Sequence, residues 1–204
     1  MLEGNHLSFA YGDRKILEDV TIHVRDGERV GLMGPSGCGK STLAKILAGY
    51  ELPLAGEVLY GGLPVRRGQY NPVQLVYQHP EQAVNPRMRM RQVLRETGTE
   101  EWELLEELAI EEAWLDRYPR ELSGGELQRF CIARAMAPGT KVLIADEIST
   151  MLDAISQAQL WEYLLRACEK RQMGLLAVSH QRALLERICT RIVQFRDEEE
   201  DLVC

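Results

Sequence analysis

Residues 34–41 read Gly-Pro-Ser-Gly-Cys-Gly-Lys-Ser. They follow the apolar run Arg29–Met33 and precede a helical pattern carried by Leu43, Ile46 and Leu47. A G-x-x-x-x-G-K-[ST] stretch between a strand and a helix admits few folds. Gly34, Gly37 and Gly39 let the backbone curl so that successive N–H groups converge on an anion. The helix that opens near Lys40 adds the positive end of its dipole. Pro35, Ser36, Cys38 and Thr42 complete the loop. In this setting Lys40 is suited to bridge the β- and γ-phosphates of ATP, and the Ser41 hydroxyl to ligate Mg²⁺. A chance glycine-rich turn is the competing reading, and the strand–loop–helix context weighs against it. Cys38 reads as a small filler rather than a redox switch.

The rest of the chain fits such a loop. Further β-like runs stand at His6–Tyr11, Val20–Val24, Glu57–Tyr60, Val73–Tyr77, Val142–Ala145, Leu175–Val178 and Ile192–Phe195. The continuous apolar runs Val-Leu-Ile-Ala and Leu-Leu-Ala-Val suit strands buried on both faces of a parallel sheet. Turn signals at Gly12 and Gly27 separate the first runs, which predicts an antiparallel β edge at the N-terminus. Helical faces are predicted from Trp102, Leu105, Leu108 and Ala109, and from Ile155, Ala158, Trp161, Leu165 and Cys168. The expected fold is α/β: a phosphate-loop core with a mainly parallel sheet. Residues 1–77 and 123–204 form that core, and residues 78–122 a small helical insert. The acidic run 197–201 reads as a solvated end.

Composition narrows the class. The chain has 204 residues, 45% of them hydrophobic, enough for one well-filled domain. A formal net charge of −7 argues against non-specific nucleic-acid binding and against docking by charge onto an anionic membrane. No apolar run approaches the roughly 20 residues of a membrane span, and the N-terminus lacks a secretory pattern. The 5 cysteines are scattered, as expected of reduced thiols rather than a disulfide or zinc framework.

Two more stretches carry chemistry. Val142–Ala145 ends in Asp146-Glu147, which a buried strand would deliver to the ligand crevice of an α/β sheet. Asp146 can hold Mg²⁺ beside Ser41, and Glu147 can accept a proton from water attacking the γ-phosphate. A solvated turn is the bland alternative. Leu122-Ser-Gly-Gly-Glu126 opens the run Leu127–Met136. Ser123 and Glu126 form a capping-box pattern, which alone explains half the signal. Gly124 and Gly125 weaken a helix, so their presence suggests a close approach to the backbone at a second anion-binding helix start.

Gly34–Ser41, Gln78, Leu122–Glu126, Asp146-Glu147, Asp153 and His180 together resemble, in order and approximate spacing, the ATP-binding cassette (ABC) proteins, over about residues 2–196. The resemblance implies that Tyr11 stacks on adenine, although a half-buried strand-end tyrosine remains open. It implies that Gln78 joins the metal site to the insert, that Glu147 is the catalytic carboxylate and that His180 touches the γ-phosphate. It implies that Ser123, Gly124 and Gly125 meet ATP held by the opposite subunit, with Asp153 at the seam. Such proteins bind ATP and Mg²⁺, pair head to tail with a like or paralogous ATPase subunit, and drive membrane permease subunits. Ile148 replaces the usual proline after Glu147, and Ser149-Thr-Met-Leu-Asp153 keeps the family's spacing without its usual alanine.

Tyr77-Gln-His-Pro followed by Asn85-Pro-Arg87 resembles the peptide and nickel importer branch, with His79 in place of an aspartate. That branch implies an extracytoplasmic solute-binding protein and a location at the cytoplasmic face of the cell membrane, with no nucleic-acid partner. Arg87, Arg89, Arg91 and Arg95, interleaved with Met88 and Met90, suit a permease contact or equally a solvated helix face. The alternatives are a soluble ABC ATPase acting on a macromolecular complex and, more distantly, a small-molecule kinase.

Overall fold

The structure is a computed structural model describing residues 1–65, 71–99 and 102–195. The acidic run 197–201 lies outside the described residues.

Two sheets and six helices account for the described chain. β1 (Leu2–Tyr11) and β2 (Arg14–Val24) precede β3 (Arg29–Met33) and α1 (Lys40–Leu47). β4 (Ala55–Tyr60), β5 (Leu63–Pro64) and β6 (Val73–Val76) follow. Then come α2 (Met90–Arg95), α3 (Trp102–Glu107), α4 (Gly124–Ala135), β7 (Val142–Asp146), α5 (Ala154–Arg171), β8 (Gly174–Val178), α6 (Arg182–Ile188) and β9 (Arg191–Gln194). A parallel sheet runs in the order β6-β7-β8-β3-β9. The N-terminal antiparallel element is a sheet of its own, ordered β2-β1-β4-β5. It recruits β4 from beyond α1, a pairing between residues too distant in sequence for local pattern to specify.

Strand alternation divides the interior in two. Val142, Ile144, Leu176 and Val178 face a core shared with α1 and the antiparallel sheet. Leu143, Ala145, Leu175 and Ala177 face a second core with α4, α5 and α6. This is why β7 and β8 read as unbroken apolar runs. Between β6 and α4 the described residues hold helices and single 3₁₀ turns, and no strand. Val84, Met90, Leu94, Leu105 and Leu108 join the second core there.

Two helical faces differ from their sequence pattern. On α5 the buried residues are Leu160, Trp161, Leu164 and Cys168, while Ile155 is 72% exposed and Ala158 is exposed. Only the C-terminal part of α5 lies on the sheet, so the first turns have no core to face. Beside α3, Leu104, Leu105 and Leu108 are buried, whereas Trp102 and Ala109 are exposed. The helix stops at Glu107, and Ala109 takes a left-handed φ of 50°, which breaks the three-to-four spacing. Met90 is fully buried, so it packs inside rather than at a docking face. Arg89 donates to the Asp116 carbonyl and lies 5.0 Å from the Tyr118 ring centre, and Arg91 pairs with Asp116 at 3.5 Å.

Candidate functional site

The C-terminal ends of β3, β7 and β8 gather the polar residues. Beyond β3, Gly34–Gly39 forms the loop and α1 begins at Lys40. Gly39 is left-handed at φ 108°, and a Cβ there would meet Ile16 Cγ2 at 2.9 Å. Gly34 is closed in differently: a Cβ would lie 2.3 Å from the Phe195 carbonyl oxygen. Glycine is thus required at both hinges of the loop. The Lys40 ammonium donates to the carbonyls of Gly34 and Pro35, both at 2.7 Å, and lies 3.9 Å from Cys38 Sγ. It therefore spans the loop it would need to span to reach a phosphate chain. Pro35, Cys38 and Thr42 are half-buried, and Ser36 and Ser41 are exposed.

Asp146 ends β7 and is buried, at 5% exposure. Burial pushes its carboxyl above the usual range; a bond from Ser41 opposes this, the neighbouring Glu147 adds to it, and Lys40 and Lys45 draw it back. A hydroxyl and a buried carboxylate in contact make a hard oxygen donor pair, the type Mg²⁺ takes. The chemistry of these donors fits that ion.

Glu147 follows in a left-handed conformation, φ 49°. This is uncommon for a residue with a side chain, and such conformations persist where surroundings over-determine them. The surroundings are visible. Its backbone N–H donates to the Val178 carbonyl at 3.1 Å, and the Thr150 N–H and hydroxyl both donate to the Glu147 carbonyl. Its carboxylate is held from two sides. Gln78 Nε2 donates to Oε2 at 3.2 Å, and His180 Nδ1 lies 3.2 Å from Oε1. The Glu147 side chain is 16% exposed and that of His180 54%. The turn thus sets a largely covered carboxylate just beyond the C-terminal end of β7, where two polar partners fix its direction. Gln78 spends its amide donor on Glu147, next door to the Ser41–Asp146 pair.

Ser123 caps α4 as its pattern predicts. Its Oγ accepts from the Glu126 N–H at 3.3 Å, and the Glu126 carboxylate accepts from the Ser123 N–H at 2.7 Å. The two glycines admit the chain itself. A Cβ on Gly124 would meet Met151 Sδ at 2.8 Å, and one on Gly125 would meet Leu152 Cδ2 at 2.9 Å. Ser123 and Gly124 remain exposed. Asp153 caps α5, accepting from the Ile155 and Ser156 N–H groups at 3.0 Å and from the Ser156 hydroxyl at 2.7 Å. Tyr11 is 51% exposed at the end of β1, edge-on to Phe9 with ring centres 4.9 Å apart.

The structure thus brings Lys40, Ser41, Asp146, Glu147, Gln78 and His180 to one sheet edge, and sets Ser123–Glu126 at a separate helix start. Sequence reading did not assign the roles of Thr150 and Ser149. Ser149 is buried, and its Oγ accepts from Gln157 Nε2 at 2.8 Å and Trp161 Nε1 at 3.1 Å. A Ser-Thr pair after a strand is a turn signal that could have pointed to both.

Comparison with known proteins gives one consistent picture. A model of the ABC transporter family matches residues 17–150. The nickel import ATP-binding protein NikE of Escherichia coli is 36% identical, the match covering 87% of this chain and 74% of that protein. A solved ATP-binding subunit of an ABC transporter superposes with a TM-score of 0.84 at 29% identity, over 96% of this chain and 86% of that one. A dimeric ATP-binding cassette solved after hydrolysis with ADP and Pi also gives 0.84, at 23% identity, over 96% and 94%. At that identity the likeness is one of fold.

Proposed function

The chain belongs to the ABC transporter family and is one of its ATPases, and on that premise we propose that it powers an importer for a small solute, nickel or a nickel chelate ahead of a peptide. The nickel option rests on the relative's name and 36% identity. It works at the cytoplasmic face of the membrane, paired with a second ATPase subunit and carried on permease subunits, with a solute-binding protein outside. Among the described residues no helix is long and apolar enough to cross a membrane, which accords with a peripheral subunit. Residues 78–122 are its helical subdomain.

The observation that carries the chemistry is Glu147, in a left-handed turn with its carboxylate held by Gln78 and His180. Lys40 and the amides of residues 34–42 bind the phosphate chain of ATP, and Tyr11 receives the adenine. Ser41 and Asp146 hold Mg²⁺, with Gln78 beside them. Bound there, the ion neutralises phosphate charge. Glu147 accepts the proton of the attacking water, and His180 donates to the γ-phosphate. Ser123, Gly124, Gly125 and Glu126 form the helix start that meets ATP on the partner subunit, with Asp153 at the seam. ATP favours the closed pair by its higher affinity for that state, and hydrolysis releases it.

Purified chain with Mg·ATP tests this. Glu147→Gln is expected to bind ATP, lose about 100-fold or more in turnover, and elute as a dimer on size exclusion. Normal turnover in that variant removes Glu147 from its role. Lys40→Ala is expected to abolish productive nucleotide binding. Co-purification with a hydrophobic membrane subunit supports the importer. A stable macromolecular complex without one overturns it in favour of a soluble ABC ATPase.

A further inference from the structure

We propose that Gln128 is a positioning residue acting on Glu147 through Gln78, as the first rung of a ladder that binds α4 to the segment carrying Gln78. The inference rests on the reading of Glu147 as the proton acceptor.

Three side chains on one face of α4 reach three main-chain carbonyls in register. Gln128 Nε2 donates to the Tyr77 carbonyl at 3.1 Å. The Cys131 thiol donates to the Pro80 carbonyl at 3.6 Å. Arg134 Nη1 donates to the Ala83 carbonyl at 2.7 Å. Donors and acceptors both advance in steps of three. On a helix that spacing stacks side chains on one face. On the other side it follows the 3₁₀ turn Pro80–Gln82, which repeats every three residues. The two periods match, so the segment lies along α4 and is bonded at each step. Arg134 also pairs with Glu96, the C-cap of α2, at 3.3 Å, extending the same tie to the next helix.

Gln128 is the rung that matters for chemistry. It is 1% exposed, and its Oε1 has no hydrogen-bond partner among the described residues. A buried acceptor without a partner is unfavourable. A methionine would fill the same space without that cost, so what the amide contributes is its donor to Tyr77. The peptide unit is planar, so fixing the Tyr77 carbonyl fixes the plane that leads into Gln78. From there Gln78 Nε2 donates to Glu147 Oε2 at 3.2 Å. Gln128 also sits one turn into the helix whose start is Ser123–Gly125. Displacement of that helix start therefore moves the peptide that aims Gln78, and with it one of the two grips on the Glu147 carboxylate.

The test is a double-mutant cycle on the purified full chain with Mg·ATP. Gln128→Met is expected to lower kcat about tenfold while KM for ATP stays within about twofold. Gln78→Ala is expected to lower kcat as well, and the double variant to turn over at the rate of Gln78→Ala alone. Losses that multiply, or a rise in KM with kcat intact, overturn the coupling. Glu147→Gln is run in parallel: normal turnover there sinks the proton-acceptor reading, while the cycle reports separately on Gln128 and Gln78. Should Gln128→Met not fold, hydrogen exchange on the wild-type chain decides. Added ATP must shift exchange in residues 77–83 and 124–135 together, and a shift in one without the other overturns the ladder.

Discussion

Asp146 and Glu147 are adjacent carboxylates with opposite surroundings. The Asp146 carboxyl is buried and pushed upward, with Glu147 adding to the effect against the pull of Ser41 and the nearby lysines. Glu147 stands in a strained turn with polar partners on both sides. The first arrangement works against folding, because a buried charge is costly. Asp146→Asn keeps an oxygen for the Ser41 hydroxyl and removes the charge. The nucleotide-free variant is expected to melt roughly 2–4 °C higher, about 1 kcal/mol for a chain of this size, and to lose Mg²⁺-dependent hydrolysis. A lower melting temperature refutes the assignment of strain to that carboxyl. Gly39→Ala belongs at this scale too. With φ at 108° and Ile16 Cγ2 only 2.9 Å from the new methyl, the loop must shift. Expected is a cost of about 1–3 kcal/mol and loss of ATP binding by calorimetry. The loop's residues were legible because their chemistry is packed into consecutive positions. That Gln78 and His180 converge on Glu147 was not, since residues 78, 147 and 180 are joined only by the folded sheet.

At the scale of elements, capping decides where the helices near the site begin. Asp153 holds the start of α5, and the bonds from the Ser156 amide and hydroxyl, with that from the Ile155 amide, keep its carboxyl below the usual range. A lowered carboxyl stabilises the fold above its ordinary range and loses that contribution as pH falls through the lowered value. Asp153→Asn keeps a capping oxygen without the charge. Its urea midpoint is expected to vary less than wild type's as pH drops below about 4. Identical acid profiles count against the cap as the titrating element. Ser123→Ala removes the capping oxygen of α4 and is expected to cost about 1 kcal/mol in urea unfolding, before any effect on catalysis. Element identity followed closely from sequence: every apolar run named as a strand is one. Face assignment fared worse where a helix outruns its core. Ile155 and Ala158 continue the three-to-four spacing of α5, and spacing carries no information on where the neighbouring sheet ends.

Seen whole, the molecule is two sheets packed on a shared apolar core, with a polar tie between them. Arg191 of β9 reaches across: its Nε donates to Glu28 at 2.6 Å, and its Nη2 donates to the His23 carbonyl on β2. Burial raises the Glu28 carboxyl, but the Arg25 amide and the Arg191 guanidinium outweigh it and hold the group below its usual range. Arg191→Ala is expected to cost about 1.5–3 kcal/mol near neutral pH. The gap to wild type should narrow as pH falls through the lowered Glu28 value, because protonation removes the partner. A gap constant with pH assigns the loss to packing instead. Nothing in the sequence announced this tie, since it spans nearly the full length of the chain. The separateness of the antiparallel sheet was hidden because β1 pairs with β4 across the intervening β3 and α1.

α1 lies between the layers, with Leu43, Ala44, Ile46 and Leu47 packed where the core strands of both sheets meet. Its first residue is Lys40. Whatever settles on the tip of this helix leans on a keystone. A ligand seated at that tip would bear on an element against which both slabs rest, and not on one corner alone.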